Sequence, residues 1–337
     1  MTQNNPPITL PIEFKHQHAA HCESGVISSL LRHEGVNISE AMAFGLSAAL
    51  SFAYLPFIKL GGLPLIAYRM PPRWIIKGLS KPLHAKFVFE TFKNPEAGKQ
   101  RLDALLAEGK VVGLQTSVYW LPYFPEDMRF HFNGHNLLVY GREANDYLIS
   151  DPVFEEPVRC ASADLLRARF AKGALAPKGL LYYPQILDNK QVQADAVLTA
   201  IRKNCKIMLG PIPIVGTRGM RFLAKRIRRL PADKAETKAF VGHIIRMQEE
   251  IGTGGAGFRF LYAAFLQEAA QLTARPQLAL LADELSKIGD EWRAFALATA
   301  RMVKGRDAMD PGKLADLLDQ RAAAETIFFK SLKLAAK

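Results

Sequence analysis

Cysteine is scarce in this chain of 337 residues. Its three cysteines, Cys22, Cys160 and Cys205, lie far apart, and none of them belongs to a CxxC pair. An odd number of widely spaced cysteines excludes a disulfide framework and is typical of a reducing compartment, so we expect a cytoplasmic protein. The N-terminal segment also lacks a basic stretch followed by an apolar core, and no signal peptide is predicted.

Long apolar runs are scarce as well. The uncharged segment 41–58 only just reaches the lower edge of the length that spans a membrane. It is interrupted by Gly45 and Pro56, and Ser39 with Glu40 is typical of a helix start. We therefore predict a buried helix that continues into an apolar loop, and no transmembrane span.

Acidic side chains are outnumbered. The chain has 32 acidic residues against 44 basic ones, a formal net charge of +12. Residues 1–187 carry +3 of this charge and residues 188–337 carry +9. A basic surface is compatible with nucleic acid, anionic lipid or an acidic protein partner. The composition, 49% hydrophobic and 23% charged, excludes a disordered or collagen-like chain.

The two halves of the sequence differ in hydrophobic periodicity. The first half contains short β-like runs at 111–118, 135–140 and 147–150, whereas apolar residues in the second half recur at the helical spacing of three and four. We therefore predict an α+β N-terminal domain over residues 1–187 and an all-helical C-terminal domain over residues 188–337.

The most informative cysteine is Cys22, in the segment HCESG. An apolar stripe at helical spacing follows it and consists of Val26, Ile27, Leu30 and Leu31. Cys22 thus falls in the first turn of a predicted helix, where free N–H groups and the helix dipole stabilise a thiolate. The alternative interpretation, which position alone leaves open, is a small buried hydrophobic residue.

A second feature is the segment 130–152, which is typical of a β-hairpin. With Gly141–Asn145 as a five-residue loop, Tyr140 pairs with Asp146, and His135 lies directly opposite Asp151. A histidine held by a carboxylate is the base of a nucleophilic site. A four-residue loop would put the two side chains on opposite faces, and a strand-end histidine beside a turn aspartate is the structural alternative.

The order of these residues has a precedent in papain-like enzymes. A helix-borne cysteine comes first, a strand-borne histidine follows it, and the acid comes shortly after the histidine. The histidine lies closer to the cysteine than the roughly 130–150 residues typical of papain enzymes, so a more compact relative is expected. Gln17 is a candidate oxyanion donor, because papain-like sites have a glutamine shortly before the cysteine. It would otherwise be an exposed loop residue.

Several motifs together resemble one family, that of butirosin biosynthesis protein H. They are HCESG, SEAMAFGLSAALSFAY, WLPYFPEDMRFHFNGHNLLVYG, YLISDP and, in the second half, GTGGAGFRFLYAAFLQEAA. The resemblance implies a papain-like cysteine fold used for acyl transfer from an acyl carrier protein thioester to a small-molecule amine. It also implies that Cys22 is the acylated nucleophile, His135 the base and Asp151 its orienter. No cofactor is expected, although the donor would bring phosphopantetheine.

Substrate contacts are predicted around the cysteine and in two apolar segments. His21 and Glu23 flank Cys22, while Phe44 and the Trp120–Tyr123 loop are candidate walls that exclude water. The same apolar residues would equally suit an ordinary core.

A basic amphipathic helix is predicted in the second half. Its cations are Arg218, Arg221, Lys225, Arg226, Arg228 and Arg229. We predict a docking surface for an acidic carrier protein or its phosphopantetheine phosphate, with a solvated face or peripheral contact with an anionic membrane as alternatives. No nucleic acid is predicted, because no recognised binding module accompanies the charge. An uncovered apolar helical face would be consistent with a homodimer.

Two further patterns are set aside. The cluster His16, His18, His21 and Cys22 resembles a metal site, but no second ligand pair accompanies it, and no metal is predicted. The glycines of segment 252–257 match GxGxxG, but a helical pattern rather than a strand precedes them. A tight junction between helices is the better interpretation.

Three functions follow from these residues. The first is a cysteine-dependent acyltransferase, and the second is a papain-like peptidase or amide hydrolase with the same catalytic residues. The third is a non-catalytic binding protein in which Cys22 is buried and inert.

Overall fold

The computed structural model describes residues 12–251 and 254–337. Contacts divide the chain into two compact units, and each of them is built from two separate stretches of sequence. One, here called the sheet unit, comprises the chain up to residue 40 and residues 79–191. The other, here called the helical unit, comprises residues 41–78 and 192–337.

The sheet unit is built on a six-stranded antiparallel sheet with the strand order β3-β8-β4-β5-β6-β7. Its strands are β3 (Ala85–Glu90), β4 (Val112–Thr116), β5 (His135–Glu143), β6 (Asp146–Ser150), β7 (Val158–Ala161) and β8 (Leu181–Leu187). Strand β4 is buried along its whole length, as expected for an inner strand covered on both faces. The three β-like runs of the sequence correspond to β4, β5 and β6, so this part of the prediction is confirmed.

Three α-helices accompany this sheet in the part of the chain that the structure describes. They are α1 (Cys22–His33), α4 (Pro95–Ala107) and α5 (Ser162–Arg169). Helix α1 packs against β5 and β4. Helix α4 begins where Asn94 caps it, since the side-chain oxygen accepts the N–H of Glu96 at 2.8 Å and proline occupies the first helical position. Alternate residues of β4 and β5 (Val112, Leu114, Leu137 and Val139) join leucines of α4 and α5 in one buried core.

The helical unit contains a two-stranded hairpin and eight helices among its described residues. The hairpin pairs β1 (Leu50–Leu60) with β2 (Leu63–Arg69) in antiparallel fashion. The helices are α2 (Glu40–Leu46), α3 (Trp74–Gly78), α6 (Ala194–Met208), α7 (Gly216–Ile227), α8 (Ala235–Glu249), α9 (Arg259–Leu272), α10 (Gln277–Val303) and α11 (Pro311–Ala335). The prediction of a helical second half is confirmed. Residues 252 and 253 of the glycine-rich junction lie outside the described residues.

The segment 41–58 differs from its prediction. A helix does begin at Glu40, but it ends at Leu46, and the expected apolar loop is strand β1. The side chains of Phe52 and Tyr54 are buried while Ala53 between them is less so, which is the period of a strand and not of a helix.

The predicted domain boundary at 187/188 lies close to residue 192, where the second stretch of the helical unit begins. The prediction places residues 41–78 in the N-terminal domain, whereas contacts place them in the helical unit. These residues pack with the helices because β1 contacts α7 and α6 while β2 contacts α8.

A buried ion pair lies inside the helical unit. Arg259 on α9 and Glu325 on α11 are both fully buried and form two parallel hydrogen bonds of 2.8 and 3.0 Å. The Trp292 ring N–H donates to the same carboxylate at 2.6 Å. The charges are therefore compensated inside the core. Among the described residues, no helix is both long and apolar enough to cross a membrane.

Candidate active site

Cys22 is the first residue of α1, and the residue before it caps the helix. The ring Nδ1 of His21 accepts the backbone N–H of Ser24 at 3.3 Å and contacts its hydroxyl at 2.8 Å. Cys22 is 7% exposed. Its backbone N–H belongs to the first turn, so the helix itself offers this group no acceptor.

A carboxylate from outside the helix holds this turn in place. Glu40 accepts the N–H groups of Ala20 and His21, both at 2.9 Å, and the hydroxyl of Ser24 at 2.8 Å. Burial raises the pKa of Glu40, although these hydrogen bonds and the nearby His18 lower it in part. The sequence indicates Glu40 only as a helix start, because its contacts belong to a separate segment earlier in the chain.

His135 and Asp151 form the second part of the cluster. The ring Nε2 of His135 lies 2.7 Å from Oδ2 of Asp151, and both side chains are buried. The same carboxylate oxygen accepts the hydroxyl of Tyr123 at 2.9 Å, while Oδ1 accepts the N–H of Val153 at 3.1 Å. The Phe124 ring makes a T-shaped contact with the imidazole at a centroid distance of 5.4 Å. Asp151 thus has a partner for each oxygen, and the imidazole is fixed in orientation.

Cys22 contacts the same imidazole. Its thiol is one of the groups that raise the pKa of His135, and because Nε2 faces Asp151, Nδ1 is the ring nitrogen left for the thiol. Burial by itself lowers the pKa of His135, but the Asp151 carboxylate and Cys22 outweigh it and raise this pKa to about 10. The cluster therefore favours a protonated imidazole beside the cysteine sulfur.

The hairpin brings His135 and Asp151 together by a different register from the one predicted. Its turn is shorter than expected, so that Glu143 pairs with Asp146. If the pairing of β5 with β6 continued in this register without a bulge, the Asp151 side chain would lie on the face of the sheet opposite His135. A β-bulge between Val139 and Gly141 shifts the register by one. His135 and Asp151 then share a face as diagonal neighbours and not as a direct pair.

The segment before α1 is hydrogen-bonded to residues at and just after the end of the same hairpin. Both ring nitrogens of His16 are engaged, with the Ser150 hydroxyl at 2.7 Å and the Phe154 carbonyl at 3.0 Å. Gly25 permits the close approach of α1, since a Cβ there would lie 2.5 Å from that of Ala19. Among residues 12–251 and 254–337, no three His, Cys, Asp or Glu side chains are grouped to hold a metal ion.

The residues predicted to contact substrate are spread over different environments. His21 and Glu23 are buried in the first turn of α1, and His21 serves as its cap. Trp120 is 39% exposed and lines a surface pocket of about 400 Å³. Tyr123 donates its hydroxyl to Asp151, a role that the sequence did not indicate. Gln17 is exposed and takes no part in the hydrogen bonds described above.

Phe44 has a different position from the expected pocket wall. It is fully buried in the helical unit, where its ring stacks on that of Phe258 at a centroid distance of 5.1 Å. The structure therefore assigns Phe44 to the core of that unit, which was the structural alternative.

The predicted basic helix is α7 and the turn after it, and its cations are all exposed. They are Arg218, Arg221, Lys225, Arg226, Arg228 and Arg229. Arg228 binds Asp316 and Asp319 of α11 at 2.6 and 3.0 Å, so its charge is neutralised locally. The run is therefore not one uniform surface.

A cysteine at the start of a helix, beside a histidine of an antiparallel sheet that pairs with an aspartate just after a strand, is typical of a papain-like α+β protein. Residues 21–152 match the family model described as butirosin biosynthesis protein H, N-terminal, and residues 163–332 match that described as domain of unknown function (DUF4872). The chain belongs to the DUF4872 family and carries an N-terminal domain of the butirosin biosynthesis protein H family.

Comparisons with individual proteins add little to this assignment. A solved structure described as that of a candidate C39-like peptidase from Bacillus anthracis matches with a TM-score of 0.35 and 15% identity. The match covers 52% of this chain and 96% of that chain. No curated protein matches the sequence.

Proposed function

We propose that the protein is a cysteine-dependent acyltransferase that moves an acyl group from a thioester to an amine or hydroxyl acceptor through an acyl-Cys22 intermediate. The observation that supports this proposal is the buried contact of Cys22, His135 and Asp151 at the start of α1. The name of the N-terminal family, that of a biosynthesis protein, supports a biosynthetic role.

In the first half-reaction, the Cys22 sulfur attacks the carbonyl carbon of the donor thioester beside the protonated His135. The new S–C bond forms as the carbonyl electron pair moves onto oxygen, and the backbone N–H of Cys22 donates to that oxyanion. When the intermediate collapses, the donor C–S bond breaks and His135 gives its proton to the departing thiolate. A carrier-bound donor would present this thiol on phosphopantetheine.

In the second half-reaction, the acceptor attacks the acyl carbonyl of Cys22. Neutral His135 takes the proton of the attacking amine or hydroxyl, and the Cys22 sulfur leaves as the S–C bond breaks. Asp151 holds the imidazole in one orientation through both steps and stabilises its charged form. Tyr123 and the N–H of Val153 hold Asp151 in turn.

Product analysis with a short acyl thioester and a primary amine tests this function. We expect the amide to form faster than the free acid, and we expect neither product from Cys22→Ala. Cys160→Ala is the matched control and should keep full activity, because Cys160 is 2% exposed and burial raises its pKa to about 12.

The other outcomes separate the rival functions. Free acid formed at full rate without any amine would contradict the transferase and indicate a hydrolase with the same three residues. No turnover of any thioester or amide by the folded protein would contradict both enzymes and favour a binding protein.

A further inference from the structure

The excess positive charge of the chain lies entirely on the helical unit. Its two stretches, 41–78 and 192–337, contain 28 basic and 15 acidic residues. The sheet unit contains 16 basic and 17 acidic residues, so it is nearly neutral. The division into sequence halves hides this contrast, because 41–78 carries four basic side chains and no acid. A partner that is attracted by charge would therefore meet the helical unit.

Part of this charge surrounds an open groove of about 980 Å³ in the helical unit. The groove lies among β1, β2, α7 and α8, and its apolar lining includes Tyr54, Phe222 and Phe240. Its charged lining consists of Lys59, Lys225, Arg226, Arg229, Lys234 and Glu236. Five cations thus oppose a single acid around an apolar surface.

The hairpin beside the groove has an exposed apolar tip. Phe57 is 70% exposed and Ile58 is 43% exposed, and both stand on β1 between the groove residues Pro56 and Lys59. The turn that follows, Gly61–Gly62, has open space around it. Adjacent large apolar side chains exposed on a strand, next to a cationic groove, mark an interaction surface and not a solvated face.

We propose that this face of the helical unit docks on an anionic lipid surface. The cations would bind lipid phosphates, and each one near such a surface strengthens binding about 5-fold. Phe57 and Ile58 would enter the boundary between headgroups and acyl chains, where apolar side chains leave water. A polar polyanion such as nucleic acid would use the cations but offers no apolar phase for the hairpin tip.

Vesicle co-sedimentation of the full chain tests the proposal. The probes are vesicles of phosphatidylcholine alone and of phosphatidylcholine mixed with phosphatidylglycerol. We expect binding to the mixed vesicles only, weakened by added salt because exposed charges are screened. Replacing Lys225, Arg226 and Arg229 together by glutamine should weaken binding on the order of 100-fold, since three cations are lost. Phe57→Ser should weaken it about 10-fold or more.

Matched controls keep the experiment specific. Arg228→Gln removes an exposed cation of the same segment whose charge Asp316 and Asp319 already neutralise, so binding should stay near that of the wild type. Leu280→Ser removes an apolar side chain of α10 that is 71% exposed and does not line the groove. Its binding should be unchanged.

Three outcomes would overturn the proposal. One is no binding of the folded protein to the mixed vesicles, and another is equal loss in the groove variants and their controls. The third is binding to an acidic protein or nucleic acid through the same cations, without any dependence on Phe57 or on lipid.

Discussion

The Asp151 carboxylate is the group on which the candidate site depends most, and Asp151→Asn tests it with a change of one atom. Together with Cys22, the carboxylate outweighs the effect of burial and raises the pKa of His135 from 6.5 to about 10. At 1.36 kcal/mol per pKa unit, this difference corresponds to about 5 kcal/mol. Removing one partner of a buried ion pair costs about 3–5 kcal/mol, so we expect Asp151→Asn to lower the free energy of unfolding by about that amount.

The stabilisation that His135 gains from Asp151 depends on pH in a definite direction. Because the pKa of His135 is higher in the folded protein than in the unfolded chain, the stabilisation is complete below pH 6.5. It falls as the pH rises from there to about 10. In Asp151→Asn this loss should be much smaller, since Cys22 alone then acts against burial to raise the pKa of the imidazole.

Urea unfolding at several pH values between about 6 and 10 measures both effects. Asp127→Asn is the control, because Asp127 is exposed on the loop after Tyr123 and its loss should change stability by at most about 0.5 kcal/mol. This role of Asp151 would be contradicted if the two variants unfolded alike, or if the wild type gained stability as the pH rose from neutral to about 10.

Three further predictions follow from the contacts. Tyr123→Phe removes the hydroxyl that donates to Asp151, so the apparent pKa of His135 in the pH–rate profile should shift while KM stays unchanged. An altered KM alone would contradict this positioning role. Gly25→Ala should lower the melting temperature and the alkylation rate of Cys22 together, because its Cβ would collide with Ala19 and Pro152, whereas a stable, fully reactive variant would show that α1 can shift freely. Glu325→Gln leaves a buried guanidinium unpaired and should destabilise the protein by about 3–5 kcal/mol in urea unfolding, and a loss below about 1 kcal/mol would argue against the buried pair.

Local patterns were sufficient to predict the elements that carry the candidate site. Cys22 precedes an apolar stripe at helical spacing, and strands β4, β5 and β6 are formed by runs of apolar residues. Each element could therefore be predicted from its own segment. The pairing of His135 with Asp151 was predicted with the wrong turn. The contact survives because the bulge near Tyr140 compensates for the shorter loop.

Long-range contacts could not be predicted in the same way. Glu40 reads as the start of a short helix, and nothing in its neighbourhood indicates that it binds Ala20, His21 and Ser24. The apolar residues after Leu46 suit a buried loop and a strand equally well until β2 is known to pair with them.

The misplacement of Phe44 has the same physical origin. Its aromatic side chain would suit a pocket wall, yet it is buried against Phe258, which lies in the turn that precedes α9. That turn belongs to the second stretch of the helical unit, so no pattern local to Phe44 could indicate it.

Intact-mass spectrometry after incubation with a short acyl thioester tests the role of Cys22 most directly. We expect one acyl adduct on the wild type that peptide mapping assigns to Cys22, no adduct on Cys22→Ala, and a much slower adduct on His135→Ala. An adduct that persists in Cys22→Ala, or a folded wild type that no thioester acylates, would contradict this role.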